Sequence, residues 1–263
     1  SLLSKSFKKL RPDVILILGD RYETLAAATA AMLMKIPIAH IHGGESTEGA
    51  VDEYIRHSIT KMSFLHFCST EFYRKRVIQM GENPNRVFNT GAPGIDNVLN
   101  LKLLTKSQLE SELNWKLSSK NALFTYHPVT LSDNNIRTDL KRIFKTLSRF
   151  DINILFSYAN ADIGGTIINF EIEKFCSRNP KKYKVEKNLG QFKYLSAMKH
   201  VDLIIGNSSS GIIEAPSFNK PVVNIGDRQK GRLRNENVID CSLESLEASI
   251  TLALTKFFLV KCK

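Results

Sequence analysis

The chain has 263 residues, of which 43% are hydrophobic and 24% charged, a balance typical of a soluble globular protein with one or two domains. No apolar run approaches the roughly 18 residues of a membrane span, and the first residues lack the pattern of a signal peptide, so the cytoplasm is the expected compartment. The net charge of +11 favours anionic partners, and four scattered cysteines without a Cys-x-x-Cys pair indicate neither a zinc site nor a disulfide framework.

Strand and helix patterns alternate almost from the first residue. Apolar runs predict strands over residues 13–19, 37–43, 64–69, 122–128, 152–157, 184–188, 201–206 and 221–226. Helical patterns predict helices over residues 22–35, 49–62, 71–81, 134–149, 165–178, 191–200, 210–218 and 243–258. Such alternation is typical of parallel sheets covered by helices.

A polar, Ser- and Lys-rich stretch over residues 100–120 interrupts the alternation and is the best candidate for a linker. Because the alternation resumes beyond it, the sequence predicts an α/β protein with two doubly wound, Rossmann-like domains. We place the first domain at residues 1–103 and the second at residues 104–263.

Ligands of such folds bind outside the carboxyl ends of the strands. Acids, histidines and other polar residues recur there in both halves, namely Asp20, Arg21, Glu23, His40, His42, Glu45, Glu48, His127, Asn160, Asp162, Asn207 and Ser208–Ser210. Helical residues close to these ends add Asp52, Glu53, Arg56, His57 and Glu214. This recurrence favours a cleft between the domains with acid/base groups on one wall and anion donors on the other.

The serine cluster at 208–210 follows a buried strand and begins a short helix. Free backbone N–H groups at a helix start can hold an anion, although serines there are commonly plain N-caps. Arg228, Lys230 and Arg232 follow the next strand and, after a right-handed crossover, lie at the same edge. The combination favours a phosphate site.

Purely structural interpretations are also open for several of these residues. His40 and His42 alternate on one strand face, but two histidines do not make a metal site, and no metal is expected. Glu53 and Arg56 are spaced to pair on one helix. Basic residues are spread along the chain without an aromatic-interleaved stripe, so a phosphorylated small molecule explains the charge better than nucleic acid does.

The stretch "GDRYETLAAATAAMLMKIPIAHIHGGESTEGAVDEYIRHSITK" resembles the hydrolysing UDP-N-acetylglucosamine 2-epimerases of sialic-acid and related nonulosonate pathways. "TYHPVT" and "GNSSSGIIEAPSFNKPVVNIGDRQKGR" match the same family, and the motifs span about residues 12–240. The resemblance implies a two-domain glycosyltransferase-B fold with the sugar nucleotide between the domains. It implies conversion of UDP-GlcNAc and water to N-acetylmannosamine and UDP, by anti-elimination of UDP and hydration of a 2-acetamidoglucal, without a cofactor. It also implies a protein that self-associates, whereas it is the hydropathy and the scattered charge that favour neither a membrane nor a nucleic-acid partner.

Residue roles follow from the same resemblance. It places Asp20, His42, Asp52 and His127 among the catalytic positions, with Glu45 as the alternative to His42 because many members carry Glu at position 42. The residues expected to bind the UDP-sugar are Arg21, Asn160, Asp162, Asn207, Ser208, Ser209, Glu214 and Arg228.

The resemblance also sets expectations for the ends of the chain. The sequence begins after the family's opening strand and its Gly-Thr-Arg loop, and it ends without the Gly-Asp-Gly segment. A first domain that lacks a strand–helix unit is expected to expose apolar faces of helix 22–35 and its neighbours, with partial disorder or aggregation. The alternatives are an inactive UDP-sugar binder and a glycosyltransferase, and the sugar is either UDP-GlcNAc or a UDP-linked 2,4-diacetamido-trideoxyhexose.

Overall fold

A computed structural model describes residues 2–48, 50–129 and 135–255. Its contacts divide the chain into two compact units, one reaching to Asp96 and including Lys230–Arg232, the other comprising Asn97–Gln229 and the chain from Leu233 onwards. The domain boundary at 103–104 stays a prediction. Four predicted features lie outside the described residues: the helix start at 49, Thr130 of the quoted "TYHPVT" motif, the helix start at 134 and the helix end over 256–258.

The first unit is a parallel sheet in the order β1-β2-β3-β4 with helices between the strands. Its strands are β1 (Ile15–Leu18), β2 (Ile38–Ile41), β3 (Leu65–Cys68) and β4 (Val87–Asn89). Its helices are α1 (Leu2–Leu10), α2 (Tyr22–Leu33), α3 (Asp52–Met62), α4 (Glu71–Gln79) and α5 (Pro93–Asn100), the last of which runs on into the second unit.

The second unit contains a six-stranded parallel sheet in the order β10-β9-β8-β5-β6-β7. Its strands are β5 (Asn121–Thr125), β6 (Asn153–Ser157), β7 (Tyr183–Glu186), β8 (Leu203–Gly206), β9 (Val222–Ile225) and β10 (Val238–Cys241). Its helices are α6 (Lys106–Leu113), α7 (Ile136–Leu147), α8 (Gly165–Cys176), α9 (Gly190–His200), α10 (Ser210–Ile213) and α11 (Leu246–Thr255). The predicted pair of Rossmann-like α/β units is confirmed.

Residues 100–120 differ from the expected linker because they contain α6. Thr105 accepts a hydrogen bond from the backbone of Gln108, and the Gln108 side chain accepts one from the backbone of Thr105, which is a capping box. Leu109 and Trp115 are buried, and Trp115 donates from Nε1 to the Lys181 carbonyl at 2.9 Å. The polar composition of the stretch hid these apolar anchors.

The core of the second unit contains a cluster of aromatic rings among aliphatic side chains. The Phe175 ring stacks on Phe144 at 4.4 Å and on Tyr183 at 4.5 Å between centroids, which ties α8 to α7 and β7. At the carboxyl end of β8, Gly206 has a φ of 138° and approaches the Thr125 carbonyl so closely that a side chain would collide with it. The ends of β5 and β8 therefore lie side by side.

Among the described helices, none is long and apolar enough to cross a bilayer.

Apolar side chains are exposed along β1, which forms one edge of the first sheet. Leu16 is 64% exposed and Leu18 is 56% exposed, whereas Ile17 between them is 4% exposed. Met32 and Leu33 of α2 are also exposed. An uncovered apolar edge strand is a template for self-association.

We expect the double substitution L16K/L18K to reduce dye binding to apolar surface and to reduce light scattering, because two charges then cover the exposed face of β1. The melting temperature should change little, since exposed sites typically alter stability by about 0.5 kcal/mol or less. Ile17→Lys is the matched control and should unfold the unit, because that side chain is buried in the same strand. Dye binding that is unchanged in L16K/L18K would show that the apolar surface that binds the dye is not the exposed face of β1.

Candidate active-site residues in the two units

A tight loop after β2 holds His42 in an unusual backbone conformation. His42 has a φ of 67°, in the left-handed region that non-glycine residues seldom adopt. Gly44, with a φ of 79°, packs so closely on α4 that a side chain would overlap the Tyr73 carbonyl and Val77. The glycine thus allows the loop to lie against α4 with His42 at its start.

Glu45 is the buried centre of this loop and is only 2% exposed. Its Oε1 lies 2.5 Å from Nδ1 of His42 and accepts a hydrogen bond from Ser69 at 2.7 Å. Its Oε2 forms an ion pair with Arg232, and its backbone carbonyl accepts from Arg56 at 2.9 Å. Both carboxylate oxygens of Glu45 are therefore engaged.

The electrostatics keep Glu45 ionised. Burial by itself raises the pKa of Glu45, but the hydrogen bond from His42, the charge of Arg232 and the Ser69 hydroxyl outweigh it and bring the pKa to about 2. A carboxylate can only accept hydrogen bonds, so Nδ1 of His42 carries the proton. In the neutral ring Nε2 of His42 is then the nitrogen that carries a lone pair, and the hydrogen bond that the structure shows for this side chain, within the described residues, is the one through Nδ1.

Asp20, the first predicted catalytic residue, follows β1 and pairs with Arg56. Arg56 is almost fully buried at 1% exposure and also lies 3.6 Å from a carboxylate oxygen of Glu53. The one guanidinium thus links Asp20 to the backbone of Glu45. The expected pairing of Glu53 with Arg56 on one helix is present, and Arg56 also contacts Asp20 and the Glu45 carbonyl.

Glu53 holds the loop that follows Glu45. It accepts hydrogen bonds from the backbone N–H of Thr47 and from the Ser46 hydroxyl at 3.0 Å, and it lies 3.2 Å from Nε2 of His57. The predicted residues Arg21 and Asp52 lie at the N-cap of α2 and at the first position of α3.

His40 is a structural histidine. It is fully buried, donates from Nε2 to the Gly19 carbonyl at 2.8 Å, and has Nδ1 at 3.2 Å from the Thr60 hydroxyl. Burial lowers its pKa to about 4, so it is neutral at pH 7. Within residues 2–48, 50–129 and 135–255, no group of three or more potential ligands is placed to hold a metal ion.

The basic segment after β9 differs from the expected row of phosphate donors. Arg232 pairs with Glu45 and Lys230 lies 3.5 Å from a carboxylate oxygen of Glu48, so both cations are paired with acids of the first unit. Arg228 instead donates to the Asn207 carbonyl of the second unit at 3.3 Å.

In the second unit, His127 follows β5 and is fixed by two asparagines. The Asn207 side chain accepts from the His127 backbone N–H at 2.7 Å and donates to its carbonyl at 2.9 Å. The Asn160 backbone N–H donates to Nδ1 of His127 at 3.0 Å, so the neutral ring carries its proton on Nε2. Substrate contact by Asn207 stays a prediction, but its amide is engaged with His127.

A pocket of about 350 Å³ lies at the carboxyl ends of β5, β6 and β7 within the second unit. His127, Lys187, Tyr194 and Ser208 are among the residues that line it. Ser209 precedes α10. The remaining predicted ligand contacts are Asp162, which accepts from the Asn160 amide at 2.5 Å, and Glu214, which directly follows α10.

Three positions in this description escaped the site prediction. The sequence indicates Arg56 only as part of a helix pair and Arg232 only as part of a basic cluster, and it carries no signal for Tyr194. Arg56 is 36 residues from Asp20 in the sequence, and Arg232 is 187 residues from Glu45. Their pairing is therefore visible in the folded chain and not in the sequence.

The sequence matches the family described as UDP-N-acetylglucosamine 2-epimerase over residues 1–258. It is 46% identical to the GDP/UDP-N,N'-diacetylbacillosamine 2-epimerase (hydrolyzing) of Campylobacter jejuni, over 98% of this chain and 67% of the relative. It is 44% identical to the polysialic acid biosynthesis protein P7 of Escherichia coli, over 88% of this chain and 59% of the relative.

The fold is similar to the crystal structure of Methanocaldococcus jannaschii UDP-GlcNAc 2-epimerase in complex with UDP-GlcNAc and UDP. The TM-score is 0.80 at 22% identity, covering 97% of this chain and 72% of that one. At this identity the likeness shows the glycosyltransferase-B-like fold alone. The family match over nearly the whole chain, together with these relatives, shows that the chain belongs to the UDP-N-acetylglucosamine 2-epimerase family.

Proposed function

We propose that the protein is a hydrolysing 2-epimerase that converts a UDP-linked 2-acetamido sugar and water to UDP and a free sugar of the ManNAc type. The His42–Glu45 pair carries the proposal, because it offers a base of fixed orientation in the first unit. The Campylobacter jejuni relative, which is named as a hydrolysing 2-epimerase, supports the reaction class.

The proposed chemistry has two balanced steps. In the first, a base removes the C2 proton while the C1–O bond to UDP breaks, leaving a 2-acetamidoglucal and UDP. In the second, a proton returns to the opposite face of C2 and water supplies the hydroxyl at C1. The steps need a proton acceptor and a stabiliser of the departing diphosphate, and neither step changes an oxidation state overall.

We assign the proton transfer to His42 rather than to Glu45. Both oxygens of Glu45 are engaged by donors, and its low pKa makes it a poor proton acceptor. Nδ1–H of His42 points at Glu45, which leaves Nε2 as the basic atom and stabilises the imidazolium that forms. The carboxylate thus orients the imidazole, as the acid does in a Ser-His-Asp triad.

We assign a different role to His127. Since its Nδ1 accepts from the Asn160 backbone, its Nε2–H is a donor. A donor in a pocket that also contains Lys187 is suited to a phosphate oxygen and not to proton abstraction. The second unit would therefore hold the nucleotide, and the first unit would supply the base.

The sugar remains a choice between two substrates with the same C1–C2 chemistry. UDP-GlcNAc and a UDP-linked 2,4-diacetamido-trideoxyhexose differ only at C4 and C6. The Campylobacter relative is named for the diacetamido sugar and the Escherichia coli relative for polysialic acid biosynthesis, at nearly equal identity to this chain. We propose a role in supplying a nonulosonate pathway, in the cytoplasm.

We expect His42→Gln to lower the turnover number for UDP release by about 10²- to 10⁴-fold, the usual contribution of general acid–base catalysis, with little change in KM. UDP release from UDP-GlcNAc and from its diacetamido analogue would be followed in parallel. His200→Gln is the matched control, because within the described residues that histidine lies in the second unit and donates to the Leu104 carbonyl. Equal turnover in His42→Gln and wild type would contradict the assignment, and UDP binding without release in wild type would identify an inactive binder.

A second prediction concerns the product made in D₂O. Because the C2 proton is removed and a solvent proton is returned, the ManNAc-type product should carry deuterium at C2, which NMR detects directly. The unreacted UDP-sugar, recovered as the control, should show no deuterium unless the first step reverses. A product with protium at C2 would exclude the elimination.

A third prediction concerns stability in acid. The pKa of Glu45 is about 2 in the folded chain against a reference of 4.5, so its ionised form stabilises the fold above pH 4.5. That stabilisation, worth about 3 kcal/mol, should be lost as the pH falls from 4.5 to 2. Glu45→Gln should be less stable at pH 7 and should lack this part of the acid dependence in urea titrations.

Glu71→Gln serves as the control, since that carboxylate is half-exposed and pairs with Arg74 on one helix. It should leave the acid dependence unchanged. An identical acid dependence in Glu45→Gln and wild type would contradict the assigned electrostatics.

A further inference from the structure

Five hydroxyl groups form an unbroken chain through the second unit. Ser157 Oγ lies 2.7 Å from Thr125 Oγ1, which lies 3.1 Å from the Tyr194 hydroxyl. The Tyr194 hydroxyl lies 2.6 Å from Ser210 Oγ, and Ser210 Oγ lies 3.0 Å from Ser208 Oγ. All five residues line the pocket of about 350 Å³.

Each hydroxyl has one proton to donate, so the hydrogen bonds of the chain can all point in either of two directions. In the inward direction they run from Ser208 towards Ser157, and in the outward direction they run from Ser157 towards Ser208. In the inward direction the last donor is Ser157, whose nearest further acceptor is the Phe124 carbonyl at 3.5 Å, the limit of a hydrogen bond. In the outward direction the hydroxyls of Ser157, Thr125, Tyr194 and Ser210 each donate to the next member, and the proton left without an acceptor in the chain is that of Ser208. The outward direction therefore needs an acceptor in the pocket.

The surroundings of Ser208 favour the outward direction when a ligand is present. The Ser210 backbone N–H donates to Ser208 Oγ at 3.4 Å, and the Ser210 hydroxyl lies within hydrogen-bond distance of the same atom. In the outward direction Ser208 Oγ accepts from both groups, and its own proton is left to donate. No Asp or Glu stands among the described residues that line the pocket, whereas His127 and Lys187 do. The acceptor that fits is an anionic oxygen.

Tyr194 is the member on which this chain depends. Among these five hydroxyls it is the one that connects Thr125 and Ser157 of the sheet to the serines before and within α10. Burial raises the pKa of Tyr194, so its hydroxyl stays protonated and able to donate at neutral pH. Hydrogen bonds in a chain polarise one another, so each upstream donor strengthens the last one.

We propose that Tyr194 is a positioning residue that aims the Ser208 hydroxyl at a phosphate oxygen of the bound nucleotide. The inference rests on the proposed binding of a UDP-sugar in this pocket, and it adds a residue that acts on the phosphate through two serines.

The test is a double-mutant cycle on ligand affinity, measured by calorimetry with the full chain. Tyr194→Phe removes one oxygen atom and keeps the ring. It should weaken UDP binding about tenfold, while uridine, which has no phosphate, should bind within about twofold of wild type. Ser208→Ala should weaken UDP to a similar extent. Y194F/S208A should be no weaker than Ser208→Ala alone, because the two residues act through one hydrogen bond.

Tyr183→Phe is the matched control, since that tyrosine is buried in the same unit but packs on Phe175 outside the pocket. It should leave both affinities unchanged. Additive losses in the double variant, or equal weakening of uridine and UDP, would overturn the positioning role and leave the nucleotide assignment standing. A wild-type chain that does not bind UDP would overturn both.

Discussion

A carboxylate buried as deeply as Glu45 has to be surrounded by donors, and the first unit is arranged to supply them. They come from separate parts of the chain: His42 after β2, Ser69 after β3, and Arg232 from a segment 187 residues away. Arg56 fixes the backbone of the same residue. Because these groups all bind Glu45 and Glu45 binds His42, the orientation of the His42 ring depends on all of them.

The two histidines that follow strand ends have opposite kinds of partner at Nδ1, an acceptor for His42 and a donor for His127. Glu45 accepts from Nδ1 of His42, which leaves Nε2 basic, whereas the Asn160 N–H donates to Nδ1 of His127, which makes its Nε2 a donor. An elimination that removes a proton and expels a phosphate needs one group of each kind. The neighbouring partner, and not the histidine itself, decides which kind each one is.

The fold could be predicted from the sequence because two local properties indicate it. These are the spacing of apolar residues, which differs between strands and helices, and the type of residue that directly follows each strand. Alternating patterns indicated both sheets, and polar residues after strands indicated His42, His127 and Ser208. The short β4 and β10 and the helices α5 and α6 were not predicted, since each has few residues or a polar sequence.

The pairings within the site could not be predicted in the same way. Arg232 was expected to face phosphate with Arg228, and only its approach to Glu45 shows that its charge is balanced inside the protein. A histidine at position 42 is consistent with that balance. A carboxylate there would lie beside the ionised Glu45, and two carboxylates in contact cannot both remain ionised without a large cost. A neutral imidazole can instead donate to Glu45 and still present a basic nitrogen. A histidine at position 42 therefore fits the contacts that Glu45 makes in this chain, and in the proposed reaction the buried acid and the base would act as one unit.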